Sequence, residues 1–273
     1  MKNHKLLIII FAFIFLYGCK TQQVHSKQEV SGNVPLREYS IQAVLWQQNA
    51  AEYRALAYQA FNLAQLQLDN IIANNKDTKK PLAIVTDIDE TLLDNSPYSG
   101  KQIELDEEYT SLRWAEWVKL KKAEAIPGAL QFFNYAKSSG VEVFYISNRS
   151  IKQKNETIEN LQLRGFPFAD NAHVLLKDET SGKEPRRLQV QENFEIVLLI
   201  GDNLSDFSET FENSSTTVRN NKVDSLKSTF GTTFIVLPNP MYGDWETKGI
   251  MEGKYDWTNF QKDSLRVKKI KSY

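Results

Sequence analysis

Five short apolar runs constrain this chain more than any other feature. They are Leu82–Thr86, Val141–Ile146, Val174–Leu176, Ile196–Ile200 and Phe234–Leu237. Each is rich in Val, Ile and Leu and nearly continuous, without the alternation of a half-exposed strand. Strands covered on both faces read this way. The segments between the later runs are long enough for crossover helices, so the pattern predicts an α/β fold around a central parallel sheet. Upstream, Ala43, Trp46, Ala50, Tyr53, Ala57, Ala60, Ala64 and Leu68 recur at three- and four-residue steps. This predicts one helical stretch from about Pro35 to Asn75. Residues 95–125 are charged, carry Trp114 and Trp117, and read as a cap inserted after the first strand.

Composition narrows the function classes. The chain has 273 residues, 33 Lys plus Arg against 34 Asp plus Glu, and a formal net charge of -1. That balance excludes a basic, polymer-binding nucleic-acid protein. One cysteine and three histidines exclude a disulfide framework and a Cys- or His-rich metal centre.

The N-terminus reads as an address. Lys2 and Lys5 precede the apolar run Leu6–Leu16, which is short for a spanning helix and fits an export signal, residues 1–18. Cys19, the lone cysteine, follows Leu16-Tyr17-Gly18. This resembles a bacterial lipobox, in which the cysteine is lipidated and holds the protein at a membrane. An ordinary cleaved signal or a short anchor with a chance cysteine is the alternative. Residues 19–34 are polar and read as a tether, with the main domain at 35–273.

Three apolar runs end in polar clusters: Asp87-Ile88-Asp89-Glu90-Thr91, Ser147-Asn148-Arg149, and Gly201-Asp202-Asn203-Leu204-Ser205-Asp206. In a parallel sheet all three share the C-terminal edge, where open α/β folds bind ligands. A single Asp at a strand end is commonly a helix cap. Four converging there cannot all stay ionised without a cation. Oxygen donors imply a hard ion, with Mg²⁺ the expected one.

The order of these motifs resembles the haloacid dehalogenase (HAD) superfamily. Further segments are similar to the class C acid phosphatases, secreted bacterial lipoprotein phosphatases. They are Trp46-Gln47-Gln48 with the helix after it, Asp94-Asn95-Ser96-Pro97-Tyr98, Ala125-Ile126-Pro127-Gly128, and Leu237 through Glu246. The resemblance implies a Rossmann-like fold with an N-terminal helix and a small cap. It implies Asp87 as nucleophile and Asp89 as acid and then base, with an acidic pH optimum. An acid at this second position separates phosphomonoester hydrolysis from the ATPase-like members, which carry Thr. Mg²⁺ would take the Asp87 carboxylate, the Asp89 backbone carbonyl and Asp202, with Asp206 a ligand or an anchor beside it. Ser147 and Asn148 would donate to the phosphoryl group. Arg149 would support the phosphate or an Asp. Lys183 is expected to balance Asp87, with Lys177 the other candidate. Trp114 and Tyr242 would stack a flat leaving group with Tyr98 at the rim, the alternative being core packing.

The implied partners are a phosphomonoester, most specifically a nucleoside 5′-monophosphate, and a membrane reached through the lipid. The expected location is the cell envelope, with the outer membrane as holder. A homodimer stays open at this stage. So do a phosphotransferase and a ligand-binding lipoprotein without turnover, although a pure binder has no need of Asp87, Asp89, Asp202 and Lys183 together.

Overall fold

The computed structural model describes residues 35–74 and 79–273. The expected leader, the tether and Cys19 lie outside the described residues. Among those described, the strands are β1 (Leu82–Thr86), β2 (Leu93–Asp94), β3 (Glu124–Ala125), β4 (Glu142–Ser150), β5 (Val174–Lys177), β6 (Glu195–Gly201) and β7 (Phe234–Val236). The helices are α1 (Ile41–Asn49), α2 (Ala51–Asn74), α3 (Ser96–Leu105), α4 (Ser111–Leu120), α5 (Ala129–Ser138), α6 (Lys154–Arg164), α7 (Glu184–Gln191), α8 (Thr216–Ser225) and α9 (Asn259–Lys269).

The five predicted runs form one parallel sheet in the order β5-β4-β1-β6-β7. The chain builds outward from β1 through β4 to β5, then returns to place β6 on the other side of β1. The reversal between β1 and β6 opens a crevice at their C-terminal ends. Residues alternate across β1. Ile84 packs in the core shared with α2, α5 and α6. Ala83 and Val85 pack in a second core with Val190 of α7 and Phe207. Both faces are covered, which is why the strand sequences are continuously apolar.

The alanine-rich face of α2 is a packing device. Ala57, Ala60 and Ala64 are buried beside Phe61 and Leu68. The small side chains let α5 approach, and Phe61 meets Phe133 edge-on at 6.0 Å. A larger residue here would overpack a filled core, at a cost of about 1–3 kcal/mol.

The expected single helix from Pro35 to Asn75 is two helices. Ala50 leaves the helical region (φ -76°, ψ 126°) and separates α1 from α2. No glycine or proline marks the break. Tertiary contacts decide it: α1 turns to pack on α3, and Gln47 donates to the Asp94 carboxylate at 2.9 Å. The inserted segment between β1 and β4 consists of α3 and α4. Its two ends are drawn together by the antiparallel pairing of β2 with β3, so α3 and α4 form an excursion on a closed base.

Candidate active site

The turn after β1 presents two carboxylates at the crevice. Asp87 is still tied to β6 through its backbone N–H, which donates to the Ile200 carbonyl at 2.9 Å. Ile88 is fully buried in the core, so its neighbours Asp87 and Asp89 are free to face the crevice. The chain then reverses through Glu90, which adopts the left-handed conformation (φ 55°). The Leu92 and Leu93 N–H groups close the turn on the Ile88 carbonyl, each at 2.9 Å.

Lys183, the residue before α7, is 5% exposed and reaches two of the carboxylates. Its Nζ lies 2.6 Å from Asp87 Oδ1 and 2.6 Å from Asp206 Oδ1. Lys177 closes β5 and does not line this cleft, so the geometry selects Lys183. The other oxygen of Asp206 accepts from the Asn203 N–H at 2.9 Å. Asp206 therefore anchors both the lysine and its own loop. Asp202 accepts from Thr91 Oγ1 at 3.0 Å and from Asn239 Nδ2 at 2.8 Å.

Asp87, Asp202 and Asp206 place one oxygen each within 4.8 Å of one another. Three carboxylates around one ammonium leave an excess of two negative charges. Burial pushes the Asp87 carboxyl up to about 7, and the charges of Asp206 and Asp89 add to this against the pull of Lys183. Burial likewise raises Asp202 well above the usual carboxylate range, helped by Asp206 and Asp87. An all-oxygen donor set with surplus negative charge fits a hard divalent cation.

Asp89 stands apart from that triad. Its carboxylate accepts from Arg149 Nη2 at 2.7 Å and Nε at 2.9 Å, from Asn95 Nδ2 at 2.8 Å and from Ser147 Oγ at 3.2 Å. The open question of Arg149's partner is thus answered: its side chain, 1% exposed, holds Asp89. It also lies 5.5 Å above the Trp114 ring. Ser147 is fully buried and also serves Asp89. Asn148 is exposed, with its Oδ1 taken by Arg186 at 2.8 Å, so its amide N–H groups remain for a ligand.

The cleft has a volume of about 620 Å³, and Trp114 and Tyr242 both line it. Tyr98 sits deeper than the rim position expected of it. It is 7% exposed, with its ring edge-on to Trp114 at 5.0 Å. The turn into α3 through Asn95, Ser96 and Pro97 directs it inward.

Several contributors escape sequence reading. Glu90 is fully buried; it accepts from the Asn95 N–H at 2.8 Å and from the Tyr242 hydroxyl. Burial, with the charges of Asp89 and Asp202, holds its carboxyl well above the usual range. Asn95 also accepts from the Trp117 indole N–H at 2.8 Å, linking α4 to Asp89. Trp117 therefore fastens the inserted segment to the site as well as packing. Asn239 was legible in principle, because Pro238-Asn239-Pro240 directly follows the last strand run and so falls at the ligand edge.

Gly201 marks the tightest approach in the site. A Cβ there would lie 2.5 Å from Asp206 Oδ2 and 2.6 Å from its Cβ. Gly201→Ala is expected to displace the Asp206 loop and lower stability by about 1–3 kcal/mol. Urea denaturation checks this: a midpoint matching wild type would show that the loop absorbs the methyl group without cost.

Comparison with known proteins agrees with this geometry. Residues 13–245 match the family model described as HAD superfamily, subfamily IIIB (acid phosphatase). The class C acid phosphatase from Bacillus anthracis is 43% identical, with a TM-score of 0.84 covering 88% of this chain and all of that one. The same holds for its structure with tungstate bound. Acid phosphatase 1 from Solanum lycopersicum is 31% identical over 167 residues, 58% of this chain and 57% of that protein. The stem 31 kDa glycoprotein from Glycine max is 29% identical over 161 residues, 57% of each chain. The matches span 57% of the length of these two curated relatives. With the family model covering most of its length, the chain belongs to the acid phosphatase family of HAD subfamily IIIB.

Proposed function

We propose that this chain is a Mg²⁺-dependent acid phosphatase that hydrolyses phosphomonoesters, 5′-nucleotides among them, through an aspartyl-phosphate. One observation carries the reading: Asp87 stands at the switch point, gripped by Lys183 beside two further carboxylates, with Asp89 two residues on. Family membership supports it, and so does the Bacillus anthracis relative with tungstate, a tetrahedral oxyanion.

Bound at Asp87 and Asp202, Mg²⁺ would supply charge neutralisation of the site and of the phosphoryl oxygens. The chain's own residues do the rest. Lys183 holds the Asp87 carboxylate for in-line attack on phosphorus. The bond to the leaving oxygen breaks, and that oxygen takes a proton from Asp89. The Asp89 carboxylate then removes a proton from water, which attacks the aspartyl-phosphate, releases inorganic phosphate and restores Asp87. All the contacts to Asp89 are donors. They suit the base step. For the acid step Arg149 must yield one oxygen, while its guanidinium keeps the Trp114 face, 5.5 Å away. Exposed Asn148 can donate to the phosphoryl group. Trp114 and Tyr242 line the path of the leaving group, where a stacked base gains about 1–3 kcal/mol.

The same reading includes a lipid anchor at Cys19 and residence in the cell envelope, with the outer membrane as holder. Among the described residues no helix is long and apolar enough to cross a membrane. The anchor then rests on the leader and the lone cysteine. Cys19→Ser should leave the membrane fraction or persist as uncleaved precursor. Unchanged membrane partition with a cleaved leader contradicts the anchor.

Asp87→Asn removes the nucleophile with almost no change in volume. Turnover of a panel of phosphomonoesters in Mg²⁺ should fall by roughly 10³-fold or more, with the thermal transition retained. Near-wild-type turnover would remove Asp87 from the chemistry.

A further inference from the structure

Asn95 stands directly before α3, where an asparagine side chain ordinarily accepts from the first N–H groups of the helix. It makes no such bond. The Asp94 carboxylate takes the Ser96 N–H at 2.8 Å instead, and a proline such as Pro97 has no N–H to offer. Asn95 is 1% exposed, and its side chain is spent on the site rather than on the helix.

The Asn95 amide is held in a single orientation. Its Oδ1 accepts from the Trp117 indole N–H at 2.8 Å and from Arg149 Nη2 at 3.4 Å. Its Nδ2 donates to Asp89 Oδ1 at 2.8 Å and to the Leu93 carbonyl at 3.2 Å. An indole N–H only donates and a carbonyl only accepts, so a flipped amide would set donor against donor and acceptor against acceptor. Trp117 thus fixes the amide, and the amide presents an N–H to Asp89.

The two oxygens of Asp89 are not equivalent. Oδ1 accepts from Arg149 Nη2 at 2.7 Å, from Arg149 Nε at 2.9 Å and from Asn95 Nδ2 at 2.8 Å. Among the described residues Oδ2 has only two longer contacts, from the same Arg149 Nε and from Ser147 Oγ, each at 3.2 Å. The carbonyl oxygen of a neutral carboxyl still accepts hydrogen bonds. Oδ1 therefore keeps all its donors in both states of Asp89, provided that the proton sits on Oδ2.

We propose that Asn95 and Trp117 are positioning residues for proton transfer: they hold Asp89 Oδ1, so that Oδ2 exchanges the proton with the reacting oxygens. As the bond from Asp87 to phosphorus forms and the bond to the leaving oxygen breaks, the proton passes from Oδ2 to that oxygen. In the second step Oδ2 takes a proton from the attacking water. Neither Asn95 nor Trp117 lines the cleft, so both act through Asp89. The inference rests on the phosphatase reading above.

The test compares kcat/KM for β-glycerol phosphate and para-nitrophenyl phosphate in wild type, Trp117→Phe and Asn95→Ala. Nitrophenolate departs as a stable anion, whereas an aliphatic alkoxide needs the proton. The ratio of the two constants cancels any loss of active protein, and Asn95→Ala removes the same contact should Trp117→Phe not fold. The aliphatic-to-aryl ratio should fall roughly tenfold in the variants, within what a positioned general acid contributes. Loosening of the Trp114 wall alone would weaken the aryl ester instead and move the ratio the other way. A fall of less than about threefold, or a rise, overturns the positioning role, because a misplaced acid costs more than that. Wild type that hydrolyses neither ester overturns the phosphatase reading and this role with it.

Discussion

Lys183 and the carboxylates around it set the terms for the whole site. The ammonium bridges Asp87 and Asp206 at 2.6 Å each, while Asp202 completes the triad with no cationic partner of its own among the described residues. Removing Lys183 would leave the buried carboxylates uncompensated, which costs several kcal/mol. The arrangement therefore persists only because the surroundings enforce it. Gly201 permits Asp206 to close in, Asn203 fixes its second oxygen, and Thr91 and Asn239 hold Asp202. The charge left over suits the site to a divalent cation.

The fold supplies this convergence cheaply. Asp87 and Asp202 follow β1 and β6, the adjacent strands where the chain direction of building reverses. Lys183 precedes α7, whose Val190 packs under the sheet. The inserted segment then adds a second layer of control. Asn95 donates to Asp89, accepts from Trp117 and receives the Glu90 carboxylate at its backbone N–H. A shift of α4 would be felt at Asp89 through a single asparagine.

The legible part of this structure was the part written in local pattern. The five runs became the sheet because both faces are buried, and the three polar clusters met because parallel strands end on one edge. Asp87, Asp89, Asp202 and Asp206 follow from motif order and spacing, and Lys183 from the resemblance to the class C acid phosphatases. The break at Ala50 was hidden because no residue there disfavours helix; contacts with α3 and Asp94 impose it. Arg149's partner lies 60 positions away, a separation that no periodicity reports. Glu90 read as one more charge in an acidic turn, yet it is fully buried against Tyr242 and Asn95.

The central claim is that surplus carboxylate charge at Asp87, Asp202 and Asp206 calls for a divalent cation. The sign of its pH dependence follows from linkage. Burial raises the Asp87 carboxyl from 3.8 to about 7 in the folded chain. The metal-free fold therefore holds a proton that the unfolded chain gives up between these values. Metal-free stability falls as pH rises through that window. A cation needs the ionised carboxylates, so its binding strengthens over the same range. The direct measurement is the melting temperature with and without saturating Mg²⁺ from pH 5 to pH 8. The account predicts a stabilisation by Mg²⁺ that grows as pH rises toward and past 7. A stabilisation that is absent, flat, or larger at pH 5 would contradict it.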